Sequence, residues 1–307
     1  MRVKGVRMES SIFEARLGDE ARATEARLAA ILDPNHPLLS GTPERLLAAM
    51  RHGALGGGKR LRPFLVLECA RLFGEPGDGA RAVGTALELV HCYSLVHDDL
   101  PAMDDDDLRR GRPTVHKAFD EATAILAGDA LLTLASGVIA QAEDLSAVAR
   151  LRLVVALARE AGPAGMVGGQ ALDLAAESAM LSEEEIARMQ AMKTGALLTF
   201  ACEAGALIAE APEEDRLRLR RFGEIVGLAF QLADDLLDET SDAARLGKAA
   251  GKDAGRGKKT LPGLNGLDWT RRRLAALVAE AEAVLEPYGV RGETLKAGAR
   301  FVAGRDR

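Results

Sequence analysis

The stretch 80-ARAVGTALELVHCYSLVHDDLPAMDDDDLRRGRPT-114 joins an apolar segment to six aspartates within ten positions, and three arginines follow at once. From Ala80 to Val96 the apolar residues leave almost no polar face, which is the pattern of a helix buried on nearly all sides. Carboxylates repel one another and are costly to remove from water. The stretch therefore predicts a buried helix whose end carries a charged site.

Composition limits the class of protein. Of the 307 residues, 48% are hydrophobic and 28% are charged, which is typical of a globular protein. Lys plus Arg total 40 and Asp plus Glu total 46, a net charge of −6 that argues against a nucleic-acid partner. The N-terminus lacks the apolar stretch of a secretory signal, and no uninterrupted apolar run approaches the roughly 18 residues of a membrane span.

The three cysteines, Cys69, Cys92 and Cys202, lie far apart in apolar segments and form no CxxC pattern. Buried free thiols are the expected state, and such thiols are typical of a reducing compartment. We therefore expect a cytoplasmic protein with no nucleic-acid partner and no membrane span.

Helical periodicity extends over most of the chain, as in ALLTLASGVIAQA from Ala130 and RRRLAALVAEAEAVL from Arg271. Clear alternating strands are missing, and Gly and Pro clusters mark the breaks between helices. We predict an all-α fold: a large helical bundle of about ten or more helices, formed by residues 1–307 as a single domain. Residues 1–9 are expected to be a flexible extension, and the helices near 80–96 and 197–208 are expected at the centre.

A second acidic cluster, LAFQLADDLLDETSD, begins at Leu228. Asp234 and Asp238 are four residues apart and lie on one face of a helix. Two carboxylates there repel each other unless a cation lies between them, and hard oxygen ligands suit Mg²⁺. The spacing therefore predicts a metal-binding face.

The first cluster needs a break in the helix. Asp98 and Asp104 are six residues apart, which places them about 240° apart on a continuous helix. Pro101 disfavours helical geometry at Leu100 and removes a backbone donor. A short turn after Asp98 is therefore expected to return Asp104 to its side.

A single acidic run is more often a solvated helix end than a site. Here two clusters each end an apolar helix and each have basic residues nearby. Mg²⁺ held by one or two carboxylates takes its other ligands from water and phosphate oxygens. The two clusters together favour a site in which bridging metal ions hold a diphosphate.

The basic residues form several groups. GGGKRLRP carries Lys59, Arg60 and Arg62, three arginines follow the first aspartates, and four lysines follow the second cluster. Taken singly, each is more often a surface charge, and we expect this of Arg60, Arg112, Lys252 and Lys259. Lys193 is different because its neighbours Met192, Ala196 and Leu197 are apolar.

Seven blocks, in order, resemble the trans-isoprenyl diphosphate synthases, the family of polyprenyl synthetases. They are GGGKRLRP, HDDLPAMDDDDLRRGRPT, GDALL, GGQALDL, KTGALL, FQLADDLLD and GKAAGKDAGRGK, which span about residues 56–260. The resemblance implies an isoprenoid synthase fold with a central apolar cavity, a homodimer, and Mg²⁺, with three ions per site when diphosphate is bound. Leu261 stands where many relatives carry Tyr, which affects the closing loop but no motif residue.

The family also implies roles for individual residues. Predicted metal ligands are Asp98, Asp99, Asp104, Asp234, Asp235 and Asp238. Residues predicted to contact the allylic diphosphate are Arg109, Lys193 and Lys248, and those predicted to hold isopentenyl diphosphate are Lys59, Arg62, His91 and Arg110, with Lys258 nearby. Thr194 and Gln231 are expected beside the reacting carbons. His91 is included on its position in the family pattern alone, because a lone His on an apolar helix is more often a core residue.

The expected reaction joins isopentenyl diphosphate to an allylic diphosphate, dimethylallyl or geranyl. Tyr93 and Ser94 lie about 6–7.5 Å along the helix before Asp98, where the growing chain must pass. In this family an aromatic residue at that place accompanies short products, so a C15 product, farnesyl diphosphate, is expected. A C20 geranylgeranyl synthase is the main alternative. A terpene cyclase and a non-catalytic subunit of a heteromeric synthase fit less well, because the isopentenyl-site residues and both aspartate motifs are intact.

Overall fold

The structure, a computed structural model, describes residues 2–176, 181–246 and 260–305. Within these ranges it contains fourteen α-helices and one two-stranded hairpin, so the predicted all-α fold is confirmed. The helices are α1 (Arg2–Ile31), α2 (Glu44–Ala54), α3 (Leu61–Arg71), α4 (Asp78–Asp98), α5 (Val115–Ala118), α6 (Glu121–Ala140), α7 (Ala147–Ala161), α8 (Met166–Ala176), α9 (Glu183–Gln190), α10 (Ala196–Ile208), α11 (Glu213–Leu246), α12 (Leu261–Asn265), α13 (Leu267–Leu285) and α14 (Glu293–Ala303). The hairpin strands are β1 (Leu108–Arg109) and β2 (Arg112–Pro113), and a π-helical turn, Ala191–Gly195, joins α9 to α10.

The chain divides into two compact units. The first unit comprises Ser11–Leu157 and Ala204–Ala211, and the second comprises Met1–Ser10, Ala158–Glu203 and Pro212–Arg307. The single-domain organisation stays a prediction. The backbone of residues 2–9 belongs to helix α1, and the flexibility expected there also stays a prediction.

Helix α4 is the centre of the first unit, as its apolar sequence predicts. It is buried along most of its length and packs against α6, α3 and α2. Close approach needs small residues: a side chain at Gly128 of α6 would overlap the ring of His97 on α4. That ring also hydrogen-bonds the Ile125 carbonyl through Nε2 at 3.0 Å, so the end of α4 that carries Asp98 is fixed against α6.

The second unit is built around α11, which packs against α13, α14 and the π-helical turn. Gly227 of α11 lies against Gly195 of that turn, where a Cβ atom would come within 2.8 Å of the Gly195 Cα atom. Phe222 and Leu219 of α11 are fully buried. The unit therefore brings α11, which carries the second aspartate motif, close to the turn that carries Lys193 and Thr194.

The sequence has no uninterrupted apolar run of membrane-spanning length, but helix length and average composition give a different result. Two helical stretches, Glu121–Ala140 and Glu183–Ile208, are long and apolar enough to cross a membrane by these criteria alone. The second is 72% buried within the protein, as a core helix is. The first is 44% buried and exposes Ile125, Leu126 and Leu132. The cysteines Cys69, Cys92 and Cys202 are free and buried, as predicted.

The contact between α10 and α3 gives a test of the packing in the first unit. A Cβ atom at Gly205 would lie 2.5 Å from the carbonyl carbon of Cys69 and 2.6 Å from the nitrogen of Ala70. Because both atoms are backbone, Gly205→Ala should reduce the free energy of unfolding by about 1–3 kcal/mol, measured by denaturant titration. Gly18→Ala in α1 is the control, since the nearest atom there is the end of the Arg22 side chain at 3.7 Å. Unfolding of Gly205→Ala at the wild-type denaturant concentration would contradict this account.

Candidate active site

The first aspartate motif folds back on itself where α4 ends. Helix α4 ends at Asp98, and the amide of Leu100 bonds the carbonyl of His97 at 3.1 Å instead of continuing the helix. The amide of Asp104 then donates to the Asp98 carbonyl at 2.8 Å. The turn that Pro101 predicts is therefore observed, and it places these two aspartates side by side in the backbone.

The aspartates of this motif have different surroundings. Asp98 is half-buried and Asp104 is exposed, whereas Asp99 is only 2% exposed. Arg109 donates from Nε to Asp99 Oδ1 at 2.6 Å, and it also approaches Asp106. Burial raises the pKa of Asp99, and the Arg109 guanidinium opposes that rise. The Asp99 carboxylate thus bonds Arg109 in this structure, and its role as a metal ligand stays a prediction.

The hairpin β1–β2 presents the arginines. Its two-residue loop, Arg110–Gly111, has φ of +53° and +75°, the backbone pattern of the tight turns that suit two-residue hairpins. Arg110 donates to the carbonyl of Gly57. Arg112 donates to the Leu55 carbonyl at 3.2 Å, so the hairpin is tied to the glycine-rich turn at two points.

The predicted isopentenyl-site residues gather in the same unit. Lys59 is exposed, and Arg62 and His91 are half-buried. Burial first, and the charges of Arg62 and Arg110 next, lower the pKa of His91 well below its usual value. His91 is therefore neutral near pH 7, and the charges that act on it indicate a strongly positive environment for an anion.

Arg60 corrects one expectation. It was expected to be a surface charge, but it is 3% exposed and donates to Glu25, Glu88 and the Ala54 carbonyl. A glycine-rich turn usually signals a surface loop, and the sequence gives no sign that one of its basic residues points inward.

The second unit carries Lys193 on the π-helical turn. Such turns interrupt α-helices and are frequent at functional sites. Lys193 Nζ donates to Asp173 Oδ2 of α8 at 2.5 Å. Gly169 permits this approach, because a Cβ atom there would lie 2.5 Å from the Lys193 Cα atom. Asp173 of α8 and Lys193 of the π-helical turn are therefore held together by direct contact.

A chain of hydrogen bonds organises the residues that were predicted to lie beside the reacting carbons. The Thr194 hydroxyl donates to Gln231 Oε1 at 2.7 Å, and Gln231 Nε2 donates to Asp235 Oδ1 at 2.8 Å. Gln190 Nε2 donates to the other oxygen of Asp235, also at 2.8 Å. Asp235 is buried, which raises its pKa against the effect of these two amides. Its carboxylate fixes the orientation of the Gln231 amide.

The other aspartates of this motif are more accessible. Asp238 is exposed, and Asp234 is half-buried. Arg305 donates to Asp234 Oδ1 at 2.9 Å and to the Phe230 carbonyl at 3.0 Å, and its guanidinium lies 3.8 Å from the centre of the Phe230 ring. Arg305 therefore holds the side chain of Asp234 near the protein surface.

The donor chemistry fits Mg²⁺. Each unit offers accessible carboxylates, Asp98 and Asp104 in one, Asp234 and Asp238 in the other. Within the described residues no three His, Cys, Asp or Glu side chains are close enough to form a complete metal site. Carboxylate oxygens suit Mg²⁺, which binds through one or two carboxylates and takes its other ligands from water and substrate phosphates.

The predicted chain-length residues lie on α4. Tyr93 is 5% exposed and packs edge-on against His97 at 5.7 Å between ring centres. Burial, with a smaller contribution from the charge of Asp98, raises the pKa of Tyr93 to about 12. Ser94 is half-buried, and its hydroxyl donates to the His91 carbonyl at 2.9 Å. The Tyr93 side chain is therefore an uncharged, buried ring that lies a little over one helical turn before Asp98.

Three supporting residues were not predicted from the sequence. Asp173 lies within GGQALDL, so its place in a family block could have identified it. Gln190 lies four residues before Thr194, but its hydrogen bond to Asp235, 45 residues away in the sequence, depends on tertiary packing that the local sequence does not reveal. Arg305 lies outside every block. The predicted residues Lys248 and Lys258 lie outside the described residues.

Comparison with known proteins gives a consistent result. A sequence profile described as Polyprenyl synthetase matches residues 43–285. The chain is 42% identical to the farnesyl diphosphate synthase of Bacillus subtilis over 266 residues, covering 86% of this chain and 90% of that one. It is 47% identical to the Escherichia coli farnesyl diphosphate synthase over 244 residues, 78% of this chain and 82% of that one.

A solved structure agrees. The apo structure of an FPP/GFPP synthase from Zymomonas mobilis superposes with a TM-score of 0.85 at 41% identity, over 96% of this chain and all of that one. The chain belongs to the polyprenyl synthetase family, as its motifs predicted.

The glycine-rich turn allows a direct test of the basic cluster. At Gly58, φ is +135° and a Cβ atom would lie 2.9 Å from the Arg110 guanidinium. Gly58→Ala should displace Arg110 and weaken the binding of inorganic pyrophosphate by about 10- to 100-fold, the loss of one charged hydrogen bond. Isothermal titration calorimetry measures this. Gly56→Ala is the control, because its nearest atom is 3.8 Å away. Equal affinity in the two variants would show that Arg110 does not bind the anion.

Proposed function

We propose that this protein is a short-chain prenyltransferase that joins isopentenyl diphosphate to an allylic diphosphate and yields farnesyl diphosphate. One observation carries the proposal. In the first unit, the accessible carboxylates of Asp98 and Asp104 and the cations Arg109 and Arg110 come from one continuous motif. Carboxylates for a metal-bound diphosphate and cations for a directly bound one are what a two-diphosphate reaction requires.

The bonding changes define what the protein must supply. The C1–O bond of the allylic substrate breaks, and both electrons leave with the diphosphate. The double-bond electrons of isopentenyl diphosphate form the new carbon–carbon bond to C1, which leaves a cation on the isopentenyl carbon skeleton. Loss of a proton to the departing diphosphate restores a double bond. No protein nucleophile is needed.

The residues of this chain serve the departure of the diphosphate in two ways. Asp98 and Asp104 of the first unit, and Asp234 and Asp238 of the second, would hold Mg²⁺, which would supply positive charge to the leaving diphosphate. Arg109 and Lys193 add fixed positive charge, each held by a carboxylate behind it, Asp99 at 2.6 Å and Asp173 at 2.5 Å. Such groups stabilise developing charge without rearranging.

The carbocation has a different requirement. It needs oxygen dipoles that stabilise it without bonding to it, and water must be excluded. Thr194 and Gln231 carry such oxygens, and their hydrogen bond at 2.7 Å orients both. We assign them to the reacting carbons. The roles of Lys248 and Lys258 at the diphosphates are proposed on the family resemblance.

We base the proposed C15 product length on Tyr93. Sequence identity does not decide the product length, since the chain is 41% identical to the FPP/GFPP synthase of Zymomonas mobilis and 42% identical to the farnesyl diphosphate synthase of Bacillus subtilis. We propose that the buried ring of Tyr93 limits the product to C15, because packed interiors hold no spare volume for another isoprene unit.

We also propose that the enzyme acts as a homodimer in the cytoplasm. Two helices of the first unit expose apolar side chains: Ile125, Leu126 and Leu132 on α6, and Val148, Leu151 and Val155 on α7. Exposed apolar surface of this extent is typical of an interface. A second copy of the chain, as the family implies, is its occupant.

The function and the product length are tested together. Purified protein is incubated with Mg²⁺, isopentenyl diphosphate and either dimethylallyl or geranyl diphosphate, and the dephosphorylated products are separated by chromatography. We expect mainly C15 from the wild type and C20 or longer from Tyr93→Ala, which opens space for the chain. Tyr288→Ala, a buried tyrosine of the second unit, is the control and should still give C15. A variant of Tyr93 that stops at C15 would place the limit elsewhere, and no prenyl transfer by the wild type would refute the function.

The different surroundings of Asp98 and Asp99 predict different defects. Asp98→Asn removes an accessible metal ligand, so turnover should fall by about 100-fold or more and the Mg²⁺ requirement should rise. Asp99→Asn removes the charge that orients Arg109, so the KM for the allylic diphosphate should rise about 10-fold or more at an unchanged Mg²⁺ requirement. Steady-state kinetics over a Mg²⁺ titration measures both. If the two variants show the same Mg²⁺ dependence, Asp99 is itself a ligand.

A further inference from the structure

The turn between α2 and α3 is held in an unusual backbone conformation. Gly57, Gly58 and Arg60 have φ of +73°, +135° and +47°. Left-handed geometry is natural for glycine but costs energy at Arg60, and it persists only where the surroundings enforce it. Lys59 lies inside this turn and Arg62 follows it in the first turn of α3. The positions of both cations therefore depend on whatever fixes the turn.

Arg60 is what fixes it. The Arg60 side chain is 1% exposed and donates from Nη1 to Glu88 Oε1 at 2.6 Å, from Nη2 to Glu25 Oε2 at 2.6 Å, and from Nη2 to the Ala54 carbonyl at 2.7 Å. These partners lie on α4, α1 and the end of α2. A guanidinium can make this fork of bonds, and a lysine ammonium, as a compact point charge, cannot reproduce it.

We call Arg60 and its three partners, Glu88, Glu25 and the Ala54 carbonyl, the clamp. Glu25 connects the clamp to the turn itself. Its Oε2 accepts from Arg60, and its Oε1 accepts the backbone N–H of Gly57 at 3.1 Å. The carbonyl of the same Gly57 accepts from Arg110 of the hairpin. Gly57 is thus held by Glu25 on one side and holds Arg110 on the other, so a shift of Glu25 is transmitted to a cation of the site.

Charge explains why the clamp contains two carboxylates. Lys59, Arg62 and Arg110 already repel one another, and a fourth cation beneath them would add to that repulsion. Glu25 and Glu88 offset the charge of Arg60, which is buried among them. The clamp therefore fixes the turn without adding net positive charge below the anion site.

Resting on the function proposed above, we propose that Glu25 and Arg60 are positioning residues for isopentenyl diphosphate, which set Lys59, Arg62 and Arg110 in place without touching the substrate. Glu25 lies before residue 43, where the match to the family profile begins, so it belongs to no family block. The allylic side of the site does not share this clamp: Asp98 and Asp104 are set by their own backbone hydrogen bond, and Arg109 is held by Asp99.

The test compares two isosteric changes on the same helix. Glu25→Gln keeps an acceptor for Gly57 but removes the charge that holds Arg60. Glu20→Gln is the matched control, because Glu20 pairs with Arg71 at 2.9 Å and with Arg81 at 3.2 Å and contacts neither the turn nor Arg60. Both changes remove one partly buried ion-paired carboxylate of α1, so a loss of stability alone affects them alike.

Steady-state kinetics with each substrate varied in turn is the readout. In Glu25→Gln we expect the KM for isopentenyl diphosphate to rise about 10-fold, the KM for the allylic diphosphate to stay within about twofold, and kcat to change little. Glu20→Gln should keep both KM values. Arg60→Lys should reproduce the defect of Glu25→Gln, and the double variant should be no worse than the poorer of the two, because both act through one clamp.

Three results would overturn the inference: an equal rise in both KM values for Glu25→Gln, the same rise in Glu20→Gln, or an active wild type whose Glu25→Gln variant is unaffected. If Arg60→Lys does not fold, Glu25→Gln alone decides. A wild-type protein that transfers no prenyl group refutes the proposed function, whereas an active wild type with an unaffected Glu25→Gln refutes the positioning role.

Discussion

Negative charge placed on helices of the core is the constraint on which this structure depends. Helix α4 ends at Asp98 as predicted, whereas Asp234 and Asp238 lie inside α11, which continues to Leu246, so the expectation that the second cluster ends a helix is wrong. Neighbouring residues on a helix lie 100° apart, so two consecutive aspartates cannot both face a ligand. In each motif the first aspartate is accessible, Asp98 or Asp234, and the second is buried, Asp99 or Asp235. The two carboxylates of each doublet therefore differ in burial: the first is the more exposed, and the second bonds the protein groups beside it, Arg109 for Asp99 and the amides of Gln190 and Gln231 for Asp235.

The two buried aspartates are stabilised in different ways. Asp99 has a cation, Arg109, so the pair is close to neutral and the first motif is less negative than its sequence suggests. Asp235 has two neutral amides, Gln190 and Gln231, so its charge is not offset by a cation among those hydrogen bonds. Burial raises the pKa of both. The second motif has its cation elsewhere, because Arg305 donates to Asp234 Oδ1 at 2.9 Å, so each motif pairs one of its aspartates with an arginine.

Much of the fold and of the candidate site was predictable from the sequence, because each aspartate motif combines a residue spacing with residue types that suit metal binding. Helical periodicity predicted the all-α fold and the buried α4 and α10, and Pro101 between Asp98 and Asp104 predicted the observed turn. Residues whose role depends on packing between distant segments were not predictable. Arg60 reads as a surface residue because it follows three glycines and Lys59, but its burial depends on Glu25 and Glu88, which lie 35 and 28 residues away. Local sequence shows that a basic residue is present, but not which helix packs over it.

The three consecutive glycines show how a flexible sequence can form a rigid element. Gly56 lies in an ordinary environment, Gly57 has both backbone groups bonded to site-forming side chains, and Gly58 lies directly under the Arg110 guanidinium. Lys59, Arg62 and Arg110 would separate by mutual repulsion if the chain between them were free. Because the turn and its clamp already oppose that repulsion in the folded protein, an incoming diphosphate need not gather the cations itself. Its binding energy remains available for orienting the substrate, which is the advantage of a preorganised anion site.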